Sequence, residues 1–396
     1  MLCLIKWPFH MASNKSILDS NCRISDRINF LEKTVSILFT SRWGTGMTKS
    51  EIQESEYFFS PQAKGDLKSY LVNNDSKINQ SEVDKLDQKI PEKIYKYSGL
   101  NKYSLQNFAE SQLSLSLPIL FNDPYDSFFE MEHEESALAK LLTKNPKASP
   151  EEQRQAKYSD LKQEQTHNDE QKELRSEFRK RIYVDAFTLD PNNALMWPHY
   201  GDTNAGICVE YATSQWKYRN SLYPVIYTDH PVAVKYAKTR VYDAHEVKHL
   251  DYLIESTCKN NKWSYEQEWR SIVHTSDNAE QSPRSELKSP NITGIYLGPY
   301  FFVKWLLIAE YIQNKENKAY AKYCRLLENY CDIFNPFRSW LYRNPSIKIY
   351  LMTTSNSEYQ YTPKAIQNPD DILDIDRNSL LEAGLVDPET LKYFEI

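Results

Sequence analysis

Leu113-Ser114-Leu115-Ser116-Leu117 alternates apolar and polar positions without a break, the period-two signature of a strand with one buried face. The same period, less strictly kept, predicts strands at Ile94–Tyr97, Ile182–Thr188, Ala205–Tyr211, Pro224–Tyr227, Tyr265–Val273, Gly294–Leu297, Ser346–Thr353 and Tyr359–Thr362. Helical spacing predicts a helix over Tyr103–Gln112, where Leu105, Phe108 and Ala109 share a face, and a short helix or tight turn over Met196–Tyr200. Val232–Asn261 reads as mainly helical. Val303–Ile333 reads as one or two helices, with apolar stripes at Trp305, Ile308 and Ile312, then at Tyr323, Leu326, Leu327 and Tyr330. Ser98–Asn101 and the Asn122-Asp123-Pro124 run are turn chemistry. Residues 131–181 are rich in Glu, Gln, Lys and Arg and predict one or two solvated helices broken at Asn145-Pro146.

Strands of alternating polarity, interrupted by helices without βαβ regularity, place the chain in the α+β class. The expected architecture is a mixed, largely antiparallel sheet with flanking helices and a charged helical insertion. Three regions are expected along the chain. Residues 1–90 read as a weakly structured N-terminal extension: Met1–Gly46 keeps no sustained period, Met47 is read as the true start, and 61–90 is polar linker or loose helix. Residues 91–363 form the core domain, with 131–181 as its insertion. Residues 364–396 read as an acidic C-terminal tail ending in a small helix.

Composition removes several function classes. Nine glycines are too few for a glycine-rich phosphate loop, and neither G-x-G-x-x-G nor a Walker loop occurs. A net charge of −6 lacks the basic footprint of a nucleic-acid binder, so nucleic acid is not an expected partner. None of the six cysteines forms a C-x-x-C pair, and Cys324 and Cys331 lie about two helical turns apart, too far to bridge. A reduced, cytoplasmic chain is expected. No apolar run approaches the ~20 residues that span a bilayer, so no membrane contact is expected.

The candidate chemistry sits in four short segments. Trp263-Ser264-Tyr265-Glu266-Gln267-Glu268-Trp269-Arg270, read as a strand, puts Glu266, Glu268 and Arg270 on one face, with Ile272 following, and Tyr265, Gln267 and Trp269 on the other. Two carboxylates so spaced lie roughly 7 Å apart at the backbone, and burial beside an arginine would raise one proton affinity and lower the other. On a water-exposed face the same residues would be an ordinary surface ion pair. The other segments are Tyr95-Lys96-Tyr97, with Lys96 opposite the two tyrosines, Phe121-Asn122-Asp123-Pro124-Tyr125-Asp126, and Met196-Trp197-Pro198-His199-Tyr200 followed by Gly206 and Cys208. Asn122, Asp123 and Asp126 serve equally as turn caps, with Asp126 the expected exception. His199, Trp197 and Tyr200 serve equally as a core plug.

The four segments, in this order, resemble the bacterial domain of unknown function numbered twenty-nine seventy-one. Its members carry Ile/Val-Tyr-Lys-Tyr/Phe, Phe-Asn-Asp-Pro-Phe-Asp, Met-Trp-x-His-Tyr followed by Gly-x-Cys, and Tyr-Glu-x-Glu-Trp/Tyr-Arg. The resemblance covers about residues 91–363. Tyr125 stands where Phe is commoner, and Val184-Asp185-Ala186-Phe187 stands where members often have Cys-Phe. The resemblance implies a residue set and a host-defence setting, but no reaction. A weaker similarity links the chain to ADP-ribosyltransferases: a basic residue on a leading strand (Lys96), a Ser-x-Ser strand (Ser114, Ser116) and a later Glu-x-Glu (Glu266, Glu268). Lys stands where Arg is usual, and Leu115 replaces a Thr.

Three functional expectations follow. The first is an NAD-using enzyme in which Glu268 stabilises a ribosyl cation, Glu266 positions the acceptor, Lys96 holds a phosphate and Tyr95 or Tyr97 stacks on nicotinamide. The second is a non-catalytic or regulatory module whose aromatic-lined pocket binds a small polar ligand or nucleotide, with 131–181 contacting a partner protein. The third is a metal-dependent hydrolase or nuclease using Asp123, Asp126, His199 and a glutamate. His245-Glu246-Val247-Lys248-His249 has the H-E-x-x-H spacing, but the stretch reads as a solvated helix face and not as a metal site. No metal is assigned. Catalytic candidates are Glu268, Glu266 and Arg270. Binding candidates are Tyr95, Lys96, Tyr97, Asn122, Asp123, Asp126, Trp197, His199 and Tyr200.

Overall fold

The structure, a computed structural model, describes residues 56–74, 77–131, 135–179, 182–234, 245–274, 284–313, 320–354, 359–366 and 377–394. The expectations for Met1–Gly46 and for a start at Met47 fall outside these residues. In chain order the elements are α1 (Pro61–Asn74), α2 (Gln80–Val83), β1 (Lys93–Ser98), α3 (Lys102–Glu110), β2 (Gln112–Ser116), β3 (Phe129–Met131), α4 (Ala137–Lys144), α5 (Pro150–Arg179), β4 (Ile182–Thr188), α6 (Met196–Tyr200) and β5 (Ile207–Ala212). They continue with β6 (Leu222–Pro224), β7 (Ile226–Thr228), β8 (Val232–Val234), α7 (His245–Thr257), β9 (Cys258–Asn260), β10 (Glu268–His274), β11 (Arg284–Lys288) and β12 (Asn291–Leu297). The last are α8 (Phe301–Gln313), α9 (Tyr320–Asn329), a π-helical turn (Tyr330–Phe334) running into α10 (Asn335–Arg343), β13 (Lys348–Thr354), β14 (Tyr361–Ala365), α11 (Arg377–Glu382) and α12 (Pro388–Phe394). Among the described residues no helix is long and apolar enough to cross a membrane.

Ten strands form one large sheet in the order β11-β2-β4-β1-β5-β12-β13-β14, with β10 pairing with both β4 and β6. Every pairing in it is antiparallel except β12 with β13, so the fold is α+β with the mixed, largely antiparallel sheet that was expected. Two small parallel pairs, β3–β8 and β7–β9, stand beside it.

The register assigns side chains to two faces. Tyr95 lies opposite Thr188, which lies opposite Glu268, so these three share a face. Trp269 lies opposite Phe187 and joins the other face. That second face is continuous apolar core: Ile94, Val209, Tyr183, Phe187, Trp269, Ile295 and Leu351 pack there against Phe301, Trp305, Phe334 and Phe337. α8 and α10 supply this cover because their apolar residues recur at helical spacing. The first face carries two smaller cores. One is built on Trp197, Tyr97, Cys208 and Tyr296, the other on Phe58, Leu67, Phe129, Tyr223, Ile254 and Ile272.

The second of these cores corrects the reading of 61–90 as linker or loose helix. Leu67 and Leu71 of α1 are fully buried, and Val83 and Leu86 nearly so. The Tyr223 hydroxyl donates to the Phe58 carbonyl at 2.5 Å. The polar composition of α1 hid one narrow apolar stripe, Ala63, Leu67 and Leu71, spaced four apart. The insertion holds α4 and α5, separated near the predicted break. Its long helix is solvated along most of its length but anchored at its C-terminal end. There Gln171 donates to the Phe129 carbonyl at 3.0 Å, and Arg179 donates to the carbonyls of Pro124 at 2.8 Å and Asp126 at 2.6 Å.

Candidate functional site: a buried charge cluster beside a small cleft

The predicted strand Tyr265–Val273 begins three residues late. Asn261–Glu266 is a 3-10 segment capped by the Asn260 side chain, and Gln267 takes a left-handed conformation at φ 45° before β10 starts at Glu268. Glu268, Arg270 and Ile272 do share a face, as alternation required. Glu266 reaches the same place from the turn instead of from the strand. The Thr188 hydroxyl holds that turn by donating to the Glu266 carbonyl at 2.6 Å, and the Asn193 amide donates to the Tyr265 carbonyl at 2.8 Å.

Five charged side chains meet here. Arg270 has no exposed surface; Asp126, Glu266, Glu268 and Lys259 are each 7% exposed or less. The Arg270 guanidinium grips Asp126 through two bonds, Nη1 to Oδ1 at 2.8 Å and Nη2 to Oδ2 at 2.6 Å. It also donates to Glu268 from Nε at 2.7 Å, and Nη1 donates to the Ser256 carbonyl at 2.8 Å. Lys259 Nζ donates to Glu266 at 2.6 Å and Glu268 at 2.9 Å and stands 3.6 Å from Asp126. The Tyr200 hydroxyl donates to the remaining Glu266 oxygen at 2.7 Å.

These contacts split the two glutamates. Burial pushes the Glu268 carboxyl up, but Arg270 and Lys259 outweigh it and hold it well below the usual carboxylate range. Burial also pushes Glu266 up. Lys259 pulls it back, the Glu268 charge adds to the rise, and the net shift is upward. Burial lowers the proton affinity of Lys259, yet the surrounding carboxylates raise it overall, so the ammonium stays charged. Burial and the Glu266 charge raise Tyr200, keeping its hydroxyl protonated as a donor.

Beside the cluster lies a cleft of about 60 Å³ lined by Tyr125, Phe128, Thr228, His230, Cys258 and Lys259. Lys259 thus joins the cleft to the buried charges. The Arg175 guanidinium of α5 stacks 3.4 Å from the centre of the Phe128 ring and donates to the Phe129 carbonyl at 3.1 Å. The charged insertion therefore braces the loop that carries Asp126.

The predicted set divides. Asp126, Glu266, Glu268, Arg270 and Tyr200 come together, and Asn122 lies against the Tyr200 hydroxyl. Asp123 behaves as a turn residue: its Oδ1 accepts the Tyr125 amide at 2.8 Å, while the buried Oδ2 has no hydrogen-bond partner. Trp197 is fully buried, donates its indole N–H to the Pro191 carbonyl and packs edge-on against Tyr97, so it is core. Tyr97 donates to the Asp190 carbonyl at 3.0 Å, and Tyr95 packs against Tyr296. His199 is exposed, with its ring 6.2 Å from that of Tyr200. Lys96 does face opposite the tyrosines, and for that reason it lies on the other side of the sheet from Glu268, bonded to Asp185.

Two participants escaped the sequence reading. Lys259 was assigned to a helix spanning Val232–Asn261, whereas the described part of that stretch holds β8, α7 and β9. The Asn260-Asn261 pair was the available signal for an earlier helix end. Tyr227, whose hydroxyl accepts the Glu268 amide at 3.0 Å, had no distinguishing pattern. Among the described residues no group of three or more His, Cys, Asp and Glu could hold a metal ion.

No curated protein and no solved structure matches the chain. One family model matches, over residues 196–271. That span opens on α6, which carries Tyr200, includes Lys259, Glu266, Glu268 and Arg270, and excludes Asp126. Over that span the chain is similar to the family described as Protein of unknown function (DUF2971).

Proposed function

We propose that the chain is a ligand-binding module that seats the polar head of a small ligand or nucleotide in the cleft of Tyr125, Phe128, Thr228, His230 and Cys258, against Lys259. One observation carries this reading: five charged side chains, all nearly fully buried, back that cleft. Withdrawing an ion from water costs several kcal/mol even after relaxation, and well-packed apolar residues in its place are often neutral or stabilising. A cluster kept at that cost beside an opening is favoured as recognition machinery. Three carboxylates face two cations here, and the acid with raised proton affinity is Glu266. Of the cluster only the Lys259 ammonium lines the cleft, so the ligand group favoured is one that accepts hydrogen bonds or carries negative charge. The test is a thermal-shift screen of the full chain with NAD, mononucleotides and small carboxylates. Stabilisation near 2.7 kcal/mol is expected at about 100-fold excess over Kd, without product formation. No shift with any of these compounds would remove the reading.

A second reading, an NAD-using enzyme with Glu268 stabilising a ribosyl cation, rests on the split pair: Glu268 stays ionised while Glu266 holds its proton more tightly. In it Lys259 takes the cationic role that the resemblance gave to Lys96, which is committed to Asp185 on the far face. NAD turnover unchanged in Glu268→Gln would end it.

A further inference from the structure

The opposite face of the sheet holds a larger hollow, of about 180 Å³, where β1, β2 and β5 meet the start of α3. At about 30 Å³ per water it has room for roughly six water molecules. Its polar lining includes Lys96, Asn107, Ser114 and Ser116, and its apolar wall includes Phe108 and Tyr211. We propose that this hollow is a second binding site, for an uncharged, hydroxyl-rich compound of monosaccharide size.

Three features carry the assignment. First, the ion pair at the floor is balanced. The Lys96 ammonium is bonded to Asp185, which is 4% exposed and whose second oxygen, Oδ2, has no hydrogen-bond partner. A cation already neutralised by an adjacent carboxylate offers little net attraction to an anion. The Lys96 ammonium, which lines the hollow and keeps N–H groups to spare, instead suits a neutral acceptor such as a hydroxyl oxygen.

Second, the rim still has donors. Ser114 spends its hydroxyl on the Asn107 Oδ1 at 2.9 Å, which leaves the Asn107 amide N–H groups and the Ser116 hydroxyl unengaged. The first turn of α3 is closed by contrast. Asn101 caps both the Tyr103 and Ser104 amides, so those two helix-end N–H groups are not available to draw a phosphate.

Third, the lining combines aromatic rings, Phe108 and Tyr211, with polar side chains, the mixture that sites for small amphipathic ligands show. Burial and the Asp185 charge push the Tyr211 phenol up, so it remains a neutral donor. The hollow shares no lining residue with the cleft over Lys259, so either proposal stands or falls without the other.

The test uses the full chain and four probes: glucose, ribose and adenosine by proton saturation-transfer NMR, and inorganic phosphate by 31P line broadening. Saturable signal from glucose or ribose supports the site. Signal from adenosine with none from free sugars also supports it, and identifies the sugar source as the ribose of a nucleoside. Asn107→Ala and Ser116→Ala, which remove one donor each, are expected to weaken binding by up to about tenfold while leaving the melting temperature within a few degrees. Binding of phosphate alone, silence from all four probes, or affinity unchanged in both variants overturns the proposal.

Discussion

Arg270 and Asp126, 144 positions apart in the chain, form a two-bond ion pair from which water is excluded. Because Arg270 also binds Glu268, one guanidinium ties the Phe121–Asp126 loop to the central strand β10. Asp126→Ala would strand a buried cation and is expected to cost about 3–5 kcal/mol. Urea titration of the full chain reads this. Replacing Asp126, Arg270, Glu268 and Lys259 together with apolar residues should cost less than Asp126→Ala alone, and a larger loss would show that the network itself stabilises the fold.

Asp251 is 6% exposed on α7, and burial pushes its carboxyl up from the usual 3.8 to about 7. With the folded value above the unfolded one, its contribution to stability is full below pH 3.8 and is lost as pH rises through about 7. Asp251→Asn should therefore be more stable than the wild type at pH 8, by on the order of 2–4 kcal/mol, and close to it at pH 4. Melting curves at the two pH values check this, and a pH-independent difference would contradict it.

Leu67→Ala should cost about 2–5 kcal/mol, because the side chain is fully buried against the core of Phe58, Tyr223 and Ile272. A loss under 1 kcal/mol by chemical denaturation would return α1 to the status of a loose extension.

Arg175→Ala removes both the stacking on Phe128 and the bond to the Phe129 carbonyl. Amide exchange should quicken over 125–131 while β5 and β12 keep their protection. Unchanged exchange in the loop would mean that α5 does not brace it.

Gly298 marks a point of close approach: a Cβ there would lie 2.3 Å from the Asn204 carbonyl oxygen and 3.1 Å from the Trp197 ring. The obstacle is mostly backbone, so Gly298→Ala should cost at least the 1–3 kcal/mol typical of overpacking. It should also displace α6 and with it Tyr200, visible as a changed near-ultraviolet signal from Trp197. A wild-type spectrum and melting temperature would refute the point.

Several elements were legible because local periodicity and burial agree. Ile182–Thr188 and Met196–Tyr200 appear with the bounds that patterning assigned, and Leu113, Leu115 and Leu117 are all buried. Where several faces compete, patterning failed. β3 and β11 are short or edge strands whose partners are distant, and α1 carries too few apolar positions to stand out. Glu266 is the instructive case: alternation assigned it to the right neighbourhood through the wrong backbone, since the left-handed Gln267 moves it off the strand.

The chain alone determined the alternation that sets Glu268 and Arg270 on one side of a strand and Trp269 on the other, because side-chain direction in a strand follows from backbone geometry. It also determined that Lys96 points away from Tyr95 and Tyr97. Only the tertiary structure decided which cations meet which acids. Whether Lys96 or Lys259 stands beside Glu268 depends on strand order and on the path of the chain after α7, and those are settled by the burial of whole faces, which no local pattern encodes.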